Sequence, residues 1–379
     1  MKKQRFFTIS PKRRNHSGEN KSNKHILFGC IMVAILAATL LVARLPRTIP
    51  LPINENVSLV DARLSPDGSK VAFIGRNSDR MEQFRLYIAS VKSKKILAKF
   101  YLEIGKIPFA APPEEVMEWS PDSSKLLIKA YQSKSREGIR KYRLFLVNLK
   151  TEKIDIIDNI FPGRITQSWN KSSDAFLICR YSAPRLSFSI FKIGEGERVL
   201  LTKEVKKLPS GINAMWSQSD DAIYYWENGQ GVYKSTYPYN RFEKIYSLPK
   251  IDATSFFLCW YLPIHSLLVF STHLPTDKWR ISILDLKQNK EISSLKLDFL
   301  PSPIFSKGEG AIIFYIGEPA SPLYIWEYEK GNLRKIKLNQ NEIPIHFEPQ
   351  NNCLLTLKFK WEKGRFKNKS YLLRTLDLH

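Results

Sequence analysis

The chain has 379 residues, of which 43% are hydrophobic and 12% aromatic, and this is ample material for a large core. Its formal net charge is +23, and the N-terminal tail does not account for it, because beyond residue 44 there remain 50 basic and 35 acidic residues. Four cysteines without a CxxC pair and six dispersed histidines exclude the usual metal-ligand patterns.

Residues 1–25 hold eight basic residues (Lys2, Lys3, Arg5, Lys12, Arg13, Arg14, Lys21 and Lys24) against one acid, Glu19, and read as a disordered cytoplasmic tail. Ile26 to Ala43, ILFGCIMVAILAATLLVA, is eighteen residues without a charge. As a helix it would span roughly 27 Å, close to the hydrocarbon thickness of a bilayer. The expectation is a single transmembrane signal anchor over 26–44, with the basic flank inside and everything after it outside. A cleaved signal peptide is the competing reading. It is disfavoured because the apolar run exceeds the usual 7 to about 15 residues and Leu41-Val42-Ala43 is a poor cleavage site. Cys30, within this run, reads as a membrane-embedded thiol.

From residue 57 to 379 a repeat organises the chain. Its clearest copy is Leu64 to Ile74, LSPDGSKVAFI, and further copies begin at Trp119, Trp169, Trp216, Trp260, Phe305 and Phe347, spaced 55, 50, 47, 44, 45 and 42 residues apart. Each large apolar anchor is followed by a polar run and then an apolar triplet such as Val71-Ala72-Phe73 or Leu126-Leu127-Ile128. Ser65-Pro66-Asp67-Gly68 has turn chemistry, so the anchor ends one strand and the triplet lies in the next. A third strand follows in each copy (Phe84 to Val91, Tyr142 to Leu149, and so on), then a short fourth run such as Lys95 to Phe100 or Lys153 to Ile157. Four antiparallel strands at a period near 45 predict an all-β, seven-bladed β-propeller.

The copies Leu64 to Ile74 and Trp119 to Ile128 (WSPDSSKLLI) resemble the TolB-like and WD-repeat-like propellers, whose repeat carries W-S-P-D-G-x-x-[IL]-[AL]-[FY]. The other five keep the anchor and triplet but lose Pro-Asp-Gly, as in WNKSSDAFLI and FSKGEGAIIF. The resemblance implies the propeller fold and no one activity, since that architecture hosts many. The seventh copy runs out during or just after its third strand, so a tether and closing strand is expected over 45–56. Ile49 to Val57 would then pair near Tyr371 to Leu376 and close the ring.

Catalytic signatures are missing: there is no G-x-S-x-G, H-E-x-x-H or P-loop, and Gly229-Gln-Gly231 and Gly308-Glu-Gly310 read as turn glycines. No metal and no cofactor is expected. Cys179, Cys259 and Cys353 read as small apolar residues on strands of three different repeats, although an extracytoplasmic location would permit disulfides. Tyr101 to Glu115, rich in proline, reads as the longest surface connector.

Two constellations remain. The position before each anchor lies on the innermost strand and reads Arg63, Glu118, Ser168, Met215, Cys259, Ile304 and His346, so Arg63, Glu118 and His346 are expected to meet at the central channel, from blades 1, 2 and 7. A structural ion pair is the plainer reading of that cluster. The loops joining second to third strands are also unevenly basic. Lys134, Arg136 and Arg140 in blade 2, and Lys363, Arg365 and Lys367 in blade 7, make a basic sector on one face, against the plainer reading of a solvated surface. The function expected is a membrane-anchored binding module for proteins, anionic polymers or lipid headgroups, on the periplasmic side of a bacterial inner membrane, where nucleic acid is an unlikely partner. The alternative is a propeller enzyme, lyase- or glycosidase-like, acting at the channel mouth.

Overall fold

The apolar triplets predict strands buried on both faces, and the computed structural model of the chain shows why. It describes residues 47–49, 57–77, 83–103, 116–134, 140–162, 164–182, 185–204, 212–217, 219–227, 230–248, 257–262, 266–274, 276–301, 304–308, 310–315, 321–339, 341–348, 353–362 and 365–375. The expected tail and membrane span lie outside these residues.

Seven four-stranded antiparallel sheets follow one another. Blade 1 is β2 (Val57–Leu64), β3 (Lys70–Asn77), β4 (Gln83–Ser90) and β5 (Ile96–Glu103); blade 2 is β6 (Met117–Trp119), β7 (Lys125–Lys134), β8 (Arg140–Asn148) and β9 (Lys153–Pro162). Blade 3 comprises β10 (Arg164–Trp169), β11 (Ala175–Ser182), β12 (Arg185–Lys192) and β13 (Gly196–Glu204), and blade 4 comprises β14 (Ile212–Trp216), β15 (Ala222–Glu227), β16 (Gly231–Thr236) and β17 (Glu243–Tyr246). In blade 5 the strands are β18 (Phe257–Leu262), β19 (Leu267–His273), β20 (Trp279–Asp285) and β21 (Lys290–Leu297); in blade 6, β22 (Ile304–Gly308), β23 (Ala311–Tyr315), β24 (Leu323–Glu327) and β25 (Asn332–Ile336). Blade 7 takes β26 (Glu342–Glu348), β27 (Cys353–Glu362) and β28 (Arg365–Thr375) from the end of the sequence and β1 (Arg47–Ile49) from its beginning.

That last strand closes the ring. Arg47, Thr48 and Ile49 pair antiparallel with Leu373, Leu372 and Tyr371. The closing strand therefore sits upstream of the expected Ile49 to Val57 and shares only Ile49 with it. β5 also runs to Glu103, so the connector expected from Tyr101 begins three residues later; residues 104–115 lie outside the described ones.

Each second strand feeds two interfaces. In β3, Val71 and Phe73 pack with Leu355 and Leu373 of blade 7, whereas Ala72 and Ile74 pack with Trp119, Leu126 and Ile128 of blade 2. Because alternate residues serve opposite neighbours, both faces are apolar and the strand reads as an unbroken hydrophobic run. The same arrangement recurs between every adjacent pair of blades, giving a core divided into seven clusters around the ring. Cys179 belongs to the cluster between blades 3 and 4, packed as a small apolar group.

The anchors end their strands at Leu64, Trp119, Trp169 and Trp216, while β18, β22 and β26 continue past Trp260, Phe305 and Phe347. The turn after the anchor has one left-handed residue in each of the first four blades: Gly68 (φ 67°), Ser123 (57°), Ser173 (61°) and Asp220 (57°). Loss of glycine from the motif thus leaves the backbone shape intact, at a modest steric cost. Side-chain bonds brace these turns with or without glycine. Ser65 Oγ donates to Asp67 Oδ1 at 2.6 Å and accepts from the Lys70 N–H at 2.9 Å, and Ser120, Asp122 and Lys125 repeat the pattern in blade 2. The turns also lock to one another, with the Asp67 N–H donating to Ser123 Oγ (3.1 Å) and the Asp122 N–H to Ser173 Oγ (3.0 Å).

Candidate functional site

The first and last inner strands each carry a bulge just ahead of the pre-anchor residue: Val60 is extra in the pairing of β2, and Ile345 in that of β26. Bulges re-aim the side chains that follow them. In β2, Ala62 and Leu64 pack toward blade 7, so Asp61 and Arg63, on the alternate positions, share the other face. Both are buried, at 6% and 4% exposure. Arg63 Nε lies 3.7 Å from Asp61 Oδ2, an ion pair too long for a hydrogen bond, while Asp61 Oδ1 accepts the Ala62 N–H at 2.8 Å.

Glu118 follows one blade on. Its Oε1 receives the Trp169 N–H at a long 3.4 Å, its carbonyl receives the Trp169 indole at 3.5 Å, and the Trp119 indole in turn donates to the Arg63 carbonyl at 3.2 Å. The indoles of Trp119 and Trp169 thus staple the inner strands of blades 1, 2 and 3 in sequence. Ser168 repeats the motif, accepting from the Trp216 N–H at 3.4 Å. Met215 is half-buried, and the side chains of Cys259 and Ile304 lie outside the described ones.

Electrostatics ties the expected trio together. Burial raises Glu118 to about 8 against the Trp169 N–H and the positive charges of Arg63 and Lys129. Burial lowers His346 to about 3, and the Arg63 charge acts in the same direction. Burial likewise raises Asp61 to about 6, opposed by Arg63 and the Ala62 N–H. At neutral pH this gives a protonated carboxyl and a neutral imidazole on either side of a guanidinium cation, with Asp61 as the anion. The Arg63 charge thus acts on both Glu118 and His346. Asp61 and Lys129 are additions that sequence reading missed. Asp61 was signalled by its place two residues before Arg63, and Lys129 by being the lone charge inside the apolar run of β7.

The basic sector is a separate feature. Lys134 and Arg140 are paired directly opposite each other as the last rung of β7 and β8, and Lys367 lies opposite Lys360 and Arg365 opposite Glu362 on the β27–β28 hairpin. Arg136 and Lys363 lie outside the described residues. Glu118 pairs with Leu127, seven residues along β7 from Lys134, so the sector and the channel cluster are roughly 20 Å apart along the strand.

No protein-family model matches this chain, and no curated protein is detectably similar. Solved structures match in fold. An oligogalacturonate lyase in complex with manganese superposes with a TM-score of 0.57 at 13% identity, over 86% of this chain and 92% of that one. A chain of the Mitotic Checkpoint Complex gives 0.54 at 14%, over 88% and 95%. The propeller domain of the Trilobed protease from Pyrococcus furiosus gives 0.54 at 17%, over 83% and 96%. TolB from Acinetobacter baumannii is also among the similar structures. The propeller resemblance drawn from the repeat is borne out at the level of fold.

Proposed function

We propose that the chain is a membrane-anchored, extracytoplasmic propeller that binds anionic partners of a cell envelope through the hairpins joining its second and third strands. The observation that carries this is the direct opposition of Lys134 to Arg140 and of Lys360 to Lys367, on two blades that flank blade 1. Like charges placed opposite each other across a strand pair cost stability, and a bound polyanion offsets that cost. Acidic protein segments and anionic polymers supply such charge in an envelope.

The uncharged stretch over residues 26–43 supplies the anchor, and only Arg44, Leu45 and Pro46 separate it from β1. In this reading the propeller lies near the bilayer. β1 starts from the edge where third strands turn into fourth strands, and Lys92, Lys94, Lys95, Lys150 and Lys153 are exposed in turns along that edge. This supports that edge facing the lipid and the basic hairpins facing away, free for a partner.

Binding of the full chain in mild detergent to labelled dextran sulfate, against neutral dextran, tests the proposal. Retention of the sulfated polymer that disappears at high ionic strength is expected; equal retention of both would contradict it. A second reading, an enzyme at the channel, is supported by the buried Asp61–Arg63 pair together with the influence of the Arg63 charge on Glu118 and His346.

A further inference from the structure

Among the described residues, eight large hydrophobic side chains are exposed, and all but Tyr101 lie in a turn between third and fourth strands or within four residues after it, across blades 1 to 6. Single exposed aliphatics are ordinary, but these gather on one edge. β1 starts at the same edge, with Arg47 opposite Leu373 of blade 7, and blade 7 packs on blade 1 through Leu355, Leu373, Val71 and Phe73.

Blade 1 differs from the others in charge. Its turn and the start of β5, Val91 to Leu97, read VKSKKIL, and no acid occurs between Arg85 and Glu103. Lys92, Lys94 and Lys95 are exposed, and none forms an ion pair with a described residue. Asp67 belongs to the neighbouring turn, whose Ser69 carbonyl accepts the Val91 N–H, but its carboxylate is taken up by Lys70 at 3.4 Å. In blades 3, 4 and 6 the corresponding turns carry paired cations: Lys192 with Glu195, Arg241 with Glu243 and Lys330 with Glu327. Beside the three lysines, Ile96 is 39% and Leu97 53% exposed. A regular strand would turn one of these inward, but Leu97 is the extra residue of a bulge opposite Ile88 and Ala89.

We infer that this turn of blade 1 is a docking point for anionic lipid headgroups, with Lys92, Lys94 and Lys95 at the phosphates and Ile96 and Leu97 entering the boundary between headgroups and acyl chains. A bilayer surface supplies both chemistries at once, whereas a soluble polyanion would match the lysines alone. The inference deepens the membrane-anchored reading and rests on it, since the uncharged run over 26–43 ends only three residues before β1.

The full chain, reconstituted in phosphatidylcholine vesicles with or without phosphatidylglycerol, tests it. A benzoylphenylalanine photo-crosslinker replaces Leu97 or, as a control on the same edge beside the Lys330–Glu327 pair, Leu333. Lipid adducts at 97 are expected to rise about fivefold or more with the anionic lipid, the effect of a lysine held at a charged surface, while those at 333 change little. Lys92→Gln/Lys94→Gln/Lys95→Gln should return the yield at 97 to its neutral-lipid level and leave the unfolding midpoint unchanged. A yield at 97 indifferent to anionic lipid, equal yields at 97 and 333, or a response that survives loss of the lysines overturns the inference and leaves the anchor standing. Crosslinks from 97 to a second copy of the chain in place of lipid do the same. Alkaline extraction of the vesicles tests the anchor separately: a chain that washes off overturns the anchored reading, and this inference with it.

Discussion

Substituting Glu118 by glutamine probes the channel chemistry without changing its shape. Burial moves the carboxyl from 4.5 to about 8, so between those values the folded protein holds a proton that the unfolded chain has released. Folding stability therefore declines as pH rises through that window, and the loss is complete above the folded value. The interval is about 3.5 pH units, which at ~1.4 kcal/mol per unit sets an upper bound near 5 kcal/mol. Glu118 keeps some contact with solvent, and screening reduces the expected loss to roughly 2 to 3 kcal/mol. Glu118→Gln has no proton to lose. It should match the wild type near pH 4.5 and exceed it in stability by that amount at pH 8.5. Urea unfolding of the full chain in mild detergent, followed by tryptophan fluorescence at several pH values, measures this. His346 and Asp61 titrate in both proteins, so the difference isolates Glu118. Parallel profiles for variant and wild type would refute the reasoning, as would a variant that is less stable at high pH.

Two further outcomes follow from the fold and one from the proposed anchor. Burial alone would raise Asp67, but bonds from Ser65 and Ser69 and the Lys70 charge hold it at about 2. Asp67→Asn should therefore cost roughly 1 kcal/mol at pH 7, after discounting for its exposure, and in pH-dependent unfolding the deficit should vanish as pH falls from about 4 to 2. Replacing Arg47–Ile49 by Gly-Ser-Gly should leave the edge of β28 unpaired, and light scattering should show aggregation; a variant that stays monodisperse with an unchanged midpoint would show that closure contributes nothing. Spin labels at positions 94 and 363 of the reconstituted protein should report deeper lipid contact at 94, and the reverse order would invert the orientation.

Much of the fold was legible because a blade buries both faces of its second strand. The triplets at Val71, Leu126 and Phe176 had to be apolar at every position, and their period exposed the repeat even where Pro-Asp-Gly was lost. The turn conformation survived that loss because Ser123, Ser173 and Asp220 tolerate the left-handed region with side-chain bonds. Arg63, Glu118 and His346 were singled out from their fixed place before the anchors, and the Arg63 charge acts on the other two. Asp61 was readable from its place two residues before Arg63, on the same strand face, but it lies outside the pre-anchor position that the repeat marks. Closure onto the third strand of blade 7 near Tyr371 was read correctly, but the closing segment lies upstream of the expected Ile49 to Val57, since Arg47-Thr48-Ile49 is only three residues long and too short for any periodicity to mark.

The central claim, anion binding by the hairpin face, is tested most directly by removing the same charge from two places. One full-length variant neutralises Lys134, Arg136, Arg140, Lys363, Arg365 and Lys367; the other neutralises Lys92, Lys94, Lys95, Lys150, Lys153 and Lys287 on the opposite edge. Affinity for labelled dextran sulfate is measured by anisotropy across a salt series. The account predicts that the first variant loses most of its affinity and has a shallower salt dependence, while the second stays close to wild type. Equal losses in the two variants would show that only net charge matters and would contradict the account.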